Sequence, residues 1–387
     1  MMPSVTITRR GEERARAGHP WIYRSDVSEV EAAPGDLVQV LGSRGRPVGY
    51  ALFSDESEIT LRMIAFGLAA PSTDFVKARL AAAIAYRESL ALDATAYRLV
   101  HGEADRLPSL IVDRYGDYLV VQALSQGIDR RLPEITAALV ELARPKGILA
   151  RNDPRVRLLE GLEQHVAVLY GDVPERIEVR EGAVTYDVDP WKGQKTGLFL
   201  DQRENREAAL RYAHGRLLDA FSYNGGFALS LAPRCDAVLA IDISENAVAR
   251  IRENAARNRL ANVEARAMNV FDELRELERT GARFDTIVLD PPAFAKNKSA
   301  IAKALSGYKE INLRALKLLK PGGFLVTCSC SYNVSEAMFL EVVAAAAADA
   351  PAEVSLVEKR AQGRDHPILI NVPETYYLKC LILRKLA

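Results

Sequence analysis

The second half of the chain alternates short apolar runs with amphipathic stretches, and this alternation limits the possible folds more than any other feature. The helix and strand periodicities predict five strands with helices between them: Arg216 to Ala220, Ala237 to Ile241, Val263 to Arg266, Thr286 to Leu289 and Phe324 to Cys328. A βαβ series of this kind predicts an α/β, doubly wound, Rossmann-like sheet. Ligands of such sheets bind at the carboxyl ends of the strands.

The ends of several elements follow from local signals. Ser244 suits the N-cap of a helix that runs through Asn258, and a helix from Glu310 to Leu319 is predicted to stop at the Lys-Pro-Gly-Gly that follows. The last strand, Tyr376 to Lys385, is predicted to pair with Val354 to Glu358 as an antiparallel edge.

The first half of the chain has a different organisation. Short strands separated by Gly and Pro predict a small β-barrel, with strands at Val5 to Thr8, Asp36 to Leu41, Gly49 to Phe53 and Glu58 to Met63. A helical stretch from Thr73 to Leu92 and apolar strands at Tyr118 to Ala123 and Gly147 to Ala150 predict a central α+β region. We therefore expect domains at residues 1–72, 73–178 and 179–387, which the length of 387 residues accommodates.

Composition limits the partners and the cellular compartment that the chain can have. Lys plus Arg equals Asp plus Glu at 51 each, so only local charge clusters can favour a nucleic-acid partner. The chain has four scattered cysteines, and its start lacks an apolar signal core, which favours a reducing cytoplasm. We expect no metal site, because Cys328 and Cys330 have no second Cys or His cluster near them, and no membrane span.

Polar residues follow the predicted strands in an ordered series. Asp219-Ala-Phe-Ser-Tyr-Asn-Gly-Gly follows the first strand, and Gly225 allows close approach of a ligand to the start of a helix. Asp242 ends the second strand, where a carboxylate can accept two ribose hydroxyls, and Asn269 follows the third. The series predicts a nucleoside pocket, although a single strand-end Asp is often only a helix cap.

The series Asp219, Asp242 and Asp290 resembles class I S-adenosylmethionine-dependent methyltransferases over about residues 180 to 387. The resemblance implies S-adenosyl-L-methionine as cofactor, with Gly225 at its amino-acid part, Asp242 at the ribose and Asn269 at the adenine. The cofactor-binding residues that the resemblance implies are Phe199, Gln202, Arg203, Asp219, Phe221, Tyr223, Asn224, Gly225, Asp242, Ile243, Asn269, Val270 and Asp290.

Three longer strings narrow the resemblance. His19-Pro-Trp-Ile-Tyr-Arg-Ser, Val100-His-Gly-Glu-Ala-Asp and Lys195-Thr-Gly-Leu-Phe-Leu-Asp-Gln-Arg are similar to the ribosomal RNA large subunit methyltransferase I family. That family has an N-terminal PUA domain, a central α+β domain and a methyltransferase domain, so the similarity covers nearly the whole chain. It implies formation of 5-methylcytosine in 23S rRNA, with 23S rRNA or a large-subunit precursor as partner.

The residues themselves agree with that product. Cytosine C5 needs a nucleophile added at C6 before it can attack a methyl sulfonium, and a thiolate is the usual nucleophile. Cys330, just past the fifth strand, is the predicted nucleophile, and Asp290 is predicted to hydrogen-bond the N3/N4 edge. Because side chains alternate along a strand, Cys328 and Cys330 are predicted to point to the same side, but we expect Cys328 in the core. A buried apolar thiol remains the alternative for both.

Basic and aromatic residues are interleaved near the N-terminus. The predicted RNA-binding residues are Arg9, Arg10, Arg14, His19, Trp21 and, after the fourth strand, Lys296. A solvated helix followed by a core Trp is the alternative for the N-terminal group. In the central region, Glu103, Asp105 and Asp113 suit catalytic carboxylates or, as we expect, a charged hairpin surface.

Two other functions remain open at this point. An RNA guanine or adenine exocyclic-amine methyltransferase also carries an Asp-Pro-Pro motif, but Ala293 and the two thiols oppose it. A non-catalytic RNA-binding factor in ribosome assembly is opposed by the intact Gly225, Asp242 and Asp290.

Overall fold

The computed structural model describes residues 2–295 and 298–386. The chain forms two compact units. The first contains residues 1–179, 188–198 and 365–375, and the second contains residues 180–187, 199–364 and 376–387. Within the described residues, no helix combines the length and the apolar character needed to cross a membrane.

The first unit begins with a six-stranded sheet in the order β2-β6-β5-β4-β1-β3. Its elements are β1 (Ser4–Ile7), α1 (Arg9–Arg16), β2 (Trp21–Tyr23), β3 (Val27–Glu31), β4 (Leu37–Leu41), β5 (Pro47–Phe53) and β6 (Ile59–Phe66). The four predicted strands are confirmed to within three residues at each end. The sequence analysis missed β2 and β3, because β2 has three residues and β3 is an exposed edge strand without apolar alternation.

A second, five-stranded sheet follows in the order β11-β10-β9-β8-β7. Its elements are α2 (Phe75–Ser89), β7 (Ala96–His101), β8 (Leu110–Tyr115), β9 (Tyr118–Ala123), α3 (Gln126–Asp129), α4 (Leu132–Ala143), β10 (Gly147–Asn152) and β11 (His165–Gly171). The apolar side chains of α2, α4 and β9 share one buried cluster, so the predicted α+β character of this region is confirmed.

The expectation that Glu103, Asp105 and Asp113 form a charged hairpin surface is wrong. Asp113 is fully buried, pairs with Arg98 at 2.5 Å and accepts a hydrogen bond from the Thr196 hydroxyl. Asp105 pairs with Arg87 at 2.5 Å, and Glu103 accepts a hydrogen bond from Trp21. Buried carboxylates require such partners, so these residues hold the first unit together.

The second unit contains a seven-stranded sheet in the order β16-β15-β14-β17-β18-β20-β19. A hairpin precedes it, β12 (Ile177–Glu181) and β13 (Val184–Val188). The elements of the unit are α5 (Arg203–Leu210), β14 (Arg216–Ala220), α6 (Gly226–Leu231), β15 (Ala237–Asp242), α7 (Glu245–Arg257), β16 (Val263–Ala267), α8 (Val270–Arg279), β17 (Phe284–Leu289), α9 (Ile301–Leu318), β18 (Leu319–Ser329), α10 (Glu336–Asp349), β19 (Val354–Arg360) and β20 (Lys379–Lys385).

Both faces of this sheet are covered, as a doubly wound fold requires. Leu218 and Leu289 pack with α8, α9 and α10, whereas Leu217 and Val288 pack with α5, α6 and α7. Successive side chains of a strand point to opposite faces, so strands buried on both faces read as continuous apolar runs. The five strands β14 to β18 pair in parallel, and β20 and β19 add the predicted antiparallel edge.

Two predicted boundaries are wrong in the second unit. Helix α9 begins at Ile301, nine residues before the predicted start at Glu310, and β18 begins at Leu319, inside the predicted helix. The Lys-Pro-Gly-Gly segment therefore lies within a strand, where its register against β17 is irregular. The prediction for α7 is confirmed, because the Ser244 side chain caps the helix at the Ala247 N–H.

Candidate active site

The turn after β14 is organised by Asp219. One carboxylate oxygen accepts hydrogen bonds from the Ser222 hydroxyl and, at 2.9 Å, from the Ala228 N–H at the start of α6. The other oxygen, Oδ1, is buried and has no partner among the described residues. Burial raises the pKa of this carboxyl to about 7. Asp219 therefore caps α6 with one oxygen and presents the other as an unpaired acceptor.

The backbone of this turn is unusual at three of the predicted residues. Phe221, Tyr223 and Gly225 all have positive φ, and at Gly225 the value is 86°. A Cβ on Gly225 would lie 3.0 Å from Leu229 side-chain atoms. Glycine therefore suits both the positive φ and the limited space at this position. The neighbouring Asn224 is buried, and its Nδ2 has no hydrogen-bond partner among the described residues. The turn thus holds an unpaired donor beside an unpaired acceptor.

Asp242 lies at the carboxyl end of β15, beside this turn. Its two oxygens accept hydrogen bonds from the Tyr223 and Ser244 N–H groups at 2.8 and 2.9 Å. These bonds orient the carboxylate, which is only partly buried. The adjacent Ile243 is 72% exposed, which is unusual for a large apolar side chain beside a strand end.

Asn269 caps α8 through its side-chain oxygen, which accepts hydrogen bonds from the Phe271 and Asp272 N–H groups. The donor half of the amide makes none of the described hydrogen bonds, which leaves it available to an acceptor such as a base nitrogen. Val270 is buried in the core beneath, so it supports the cap instead of presenting a polar group.

The segment ahead of β14 reaches the same edge of the sheet. Phe199 lies edge-on to Tyr223, with 5.1 Å between ring centroids. The Gln202 side chain donates to Asp290 Oδ1 at 2.8 Å and accepts from Asn205, so a buried amide orients the acid after β17. Arg203 is buried at the start of α5.

The two thiols of the Thr-Cys-Ser-Cys-Ser run occupy different environments. Cys328 is within β18 and fully buried, and burial together with the neighbouring Cys380 raises its thiol pKa well above the ordinary value. Cys330 lies one residue past the end of β18 and is partly exposed, with its Sγ 3.7 Å from the Pro291 carbonyl oxygen. The expectation that Cys328 lies in the core is confirmed, whereas Cys330 lies past Ser329, the last residue of the strand.

Strands β17 and β18 are parallel neighbours, which explains how Cys330 meets the Asp290 loop. Their register pairs Leu289 with Thr327, so both chains leave the sheet at the same edge. Ser331, next to Cys330, is buried, and its hydroxyl accepts from the Ala295 N–H and shares a hydrogen bond with the Tyr308 hydroxyl. The loop that carries the thiol is therefore tied to the loop that carries the acid.

Sequence reasoning missed Lys379 at this edge. The side chain is 2% exposed, and its Nζ donates to the carbonyls of Ser331 and Tyr377 at 2.7 and 2.9 Å. The available signal was a lysine that begins an otherwise apolar strand. Tyr308 of α9, a second side chain near this edge, is fully buried between Phe294 and Phe339 and belongs to the core. Lys296 lies outside the described residues.

The predicted RNA-binding residues of the N-terminus lie on and after α1. Arg9 is exposed and pairs with Glu13 at 3.1 Å, and Arg10 pairs with the buried Asp26. The Arg14 guanidinium lies 4.7 Å from the centroid of the Tyr23 ring. Most of this group therefore makes internal contacts.

His19 and Trp21 follow that helix and are half-buried. Burial is the main cause that lowers the pKa of His19, so its ring is neutral at pH 7. The Trp21 indole N–H donates to Glu103 at 3.0 Å, which fixes the ring in the first unit. Among the described residues, no group of three Cys, His, Asp or Glu side chains is arranged to hold a metal ion.

Two known families match the chain. A PUA-like domain family matches residues 5–66, and an S-adenosylmethionine-dependent methyltransferase family matches residues 116–384. A solved structure described as a methyltransferase complexed with SAH has a TM-score of 0.85 at 21% identity, with all of both chains covered. At this identity the likeness shows the fold, which confirms the predicted α/β methyltransferase architecture.

Curated relatives extend over the full length. Ribosomal RNA large subunit methyltransferase I of Tolumonas auensis is 40% identical over 395 residues, which cover 99% of this chain and 100% of that protein. The protein of the same name from Aeromonas hydrophila is 39% identical with the same coverage.

The turn after β14 fits S-adenosylmethionine, whose amino-acid part carries an ammonium donor and a carboxylate acceptor. The unpaired Asp219 Oδ1 and Asn224 Nδ2 are the complementary acceptor and donor, and the partly buried Asp242 suits the ribose. S-adenosylmethionine is thus the cofactor predicted from sequence and confirmed by the matching family. The chain belongs to the ribosomal RNA large subunit methyltransferase I family, S-adenosylmethionine-dependent methyltransferases with an N-terminal PUA-like domain.

Proposed function

We propose that the protein methylates C5 of a cytosine in 23S rRNA through a covalent bond between Cys330 and C6. The observation that carries this proposal is the partly exposed Cys330 thiol against the Asp290-Pro291 loop, at the strand ends that bear the cofactor residues. The names of the curated relatives supply the RNA: they act on ribosomal RNA of the large subunit. The PUA-like domain supplies a surface suited to RNA.

The chemistry requires one nucleophile and one positioned acid. The Cys330 thiolate forms the S–C6 bond, which makes C5 electron-rich. When bound, S-adenosylmethionine supplies the methyl group that C5 takes up. Loss of the C5 proton to a base then allows the S–C6 bond to break, which restores the aromatic ring and the free thiolate.

Asp290 is proposed to hold the base during these steps. Its carboxylate accepts a hydrogen bond from the cytosine N4 amino group, while Gln202 fixes its orientation through the 2.8 Å bond to Oδ1. A charge-assisted hydrogen bond of this kind also selects cytosine, because uracil presents a carbonyl at the same position. The segment after Asp290 reads Pro-Pro-Ala-Phe and has no cysteine, so a single thiol serves both bond formation and release.

The two cysteines of the run give a matched experiment. Purified protein and its Cys330→Ala and Cys328→Ala variants are incubated with unmodified 23S rRNA and methyl-labelled cofactor, and the nucleosides are then analysed. We expect labelled 5-methylcytosine from the wild type and from Cys328→Ala. Cys330→Ala should lose at least about a thousandfold in rate, as nucleophile removal does in other enzymes.

Each alternative function predicts a different result. Full activity of Cys330→Ala, or label on a guanine or adenine amino group, would replace the proposal with exocyclic-amine methylation. A non-catalytic assembly factor predicts no label at all and, by calorimetry, no binding of S-adenosylmethionine. The mapped position of the label also identifies the target nucleotide, and a parallel incubation with precursor particles compares the two substrates.

A further inference from the structure

Lys379 is a buried cation at the end of the sheet where the proposed nucleophile lies. It begins β20, and the antiparallel register pairs it with Ser329, the last residue of β18. Its Nζ donates to the carbonyls of Ser331 and Tyr377 at 2.7 and 2.9 Å. Lys379 therefore hydrogen-bonds the backbone one residue beyond Cys330.

This ammonium has no carboxylate partner among the residues that the structure describes. Nothing in the described part of the chain forms an ion pair with Lys379, and the two carbonyls account for two of its three N–H donors. Burial of an unpaired charge is costly, and here it lowers the pKa of Lys379 to about 8. Cys330 has the opposite effect on the pKa of Lys379, because a thiolate at Cys330 favours the charged lysine.

We propose that Lys379 is a positioning residue that favours the thiolate form of Cys330 and holds the turn that carries it. This inference rests on the proposed role of Cys330 as nucleophile. A thiolate adds to C6 and a thiol does not, so a cation bound to the backbone of the next residue, Ser331, raises the reactive fraction of Cys330 at neutral pH. The proton that Cys330 loses passes to water, and Lys379 remains protonated during the addition.

Other ionisable groups near Cys330 limit the effect. Asp290 precedes Pro291, whose carbonyl oxygen lies 3.7 Å from the Cys330 Sγ, and its carboxylate opposes the thiolate when it is ionised. Tyr308 of α9 reaches the adjacent Ser331, and burial raises its pKa, so it is neutral. Cys328 is kept as a thiol by burial. Lys379 thus places a positive charge against this loop, next to two groups that are uncharged.

The experiment measures the thiol of Cys330 directly, without RNA or cofactor. The rate of alkylation by iodoacetamide is followed from pH 5 to 10, and modification of the Cys330 peptide is quantified by mass spectrometry. In the wild type we expect the midpoint below the ordinary thiol value of about 8.5. In Lys379→Met, which keeps the apolar stem, we expect the midpoint to rise by about one unit, roughly a tenfold lower rate at pH 7.

A matched control lies on the same strand. Lys385 is the last residue of β20, at the opposite end from Cys330, and its Nζ likewise donates to two carbonyls, those of Leu316 and Leu319. Lys385→Met should leave the alkylation profile unchanged, and Lys379→Arg should retain most of the wild-type profile because it keeps the charge.

Two outcomes would overturn the inference. One is a folded Lys379→Met variant, verified by circular dichroism, whose alkylation profile matches the wild type. The other is a wild-type midpoint at or above about 8.5, which decides the question even if Lys379→Met does not fold. A lowered midpoint in a protein that makes no 5-methylcytosine would instead refute the proposed function and leave the thiolate effect standing.

Discussion

At the scale of single residues, burial decides which thiol can react. Burial raises the pKa of Cys235 to about 11, and Cys328 lies even deeper in the sheet beside Cys380. Cys330 alone of the four cysteines is partly exposed. Since the thiolate is the nucleophile, the same residue type becomes structural or reactive according to whether its neighbours exclude water. The order of residues in the run does not express this difference.

Asp219 makes a prediction at the same scale. In the unfolded chain its carboxyl titrates near the ordinary 3.8, whereas in the folded protein burial moves the pKa to about 7. The folded state therefore binds the proton more tightly, so this group's stabilisation is complete below about pH 4 and is lost as the pH rises through 7. Asp219→Asn should remove this decline, which amounts to at most about 4 kcal/mol.

Urea unfolding at pH 5 and pH 8 measures the effect of Asp219→Asn. From pH 5 to pH 8 the free energy of unfolding of the wild type should fall, and that of Asp219→Asn should fall less. Asp272→Asn is the control, because that carboxylate is exposed in the first turn of α8. An equal pH dependence in wild type and Asp219→Asn would show that the buried carboxyl does not control the decline.

At the scale of elements, the sequence predicted the strands better than the segments between them. The runs at β14 and β15 are largely apolar because helices cover both faces of their sheet, and these two strands and β9 were located to within one residue. The stop at Lys-Pro-Gly-Gly was misplaced. Those residues are normally helix terminators, but pairing of Leu319 with Phe284 of β17 extends the strand back to the helix end.

The glycine turn before α6 gives an element-scale prediction. Gly225→Ala places a side chain at a φ of 86° and 3.0 Å from Leu229, so we expect a loss of about 1–2 kcal/mol in stability and weaker cofactor binding. Gly281→Ala is the control, because its φ is 73° but a Cβ there would meet nothing within 4 Å.

Calorimetry with S-adenosylmethionine and thermal unfolding separate the two effects of Gly225→Ala. Both glycine variants should lose stability through backbone strain, but only Gly225→Ala should lose cofactor affinity. If the two variants bound the cofactor equally well, the turn before α6 would not be part of the cofactor site.

At the scale of the whole molecule, positive and negative charges balance at 51 each, so RNA affinity must come from local surfaces. The arginines of α1 are the predicted RNA contacts in the first unit. The structure shows that Arg10 and Arg14 also support the fold, through Asp26 and Tyr23. Arg9, with 87% of its side chain exposed, is therefore the residue whose replacement tests RNA contact without disturbing packing.

We expect Arg9→Gln to weaken binding of 23S rRNA fragments and to reduce the slope of log K against log salt by about one. Arg279→Gln is the matched control, because Arg279 is an exposed arginine of the second unit with a similar ion pair, to Glu276. Filter binding across a salt series makes the measurement. A slope that stays at the wild-type value in Arg9→Gln would exclude Arg9 of α1 from the RNA interface.

The sequence by itself determined the α/β class, the order of the strands along the chain and the polar residues at their ends. These features are local, since periodicity and strand-end residues are readable within a few positions. Only the tertiary structure decided which thiol is exposed, which carboxylates are buried in ion pairs, and that the Lys379 ammonium binds the Ser331 carbonyl next to Cys330. Those contacts join residues far apart in the chain, and their chemistry depends on exclusion of water, which the order of residues does not record.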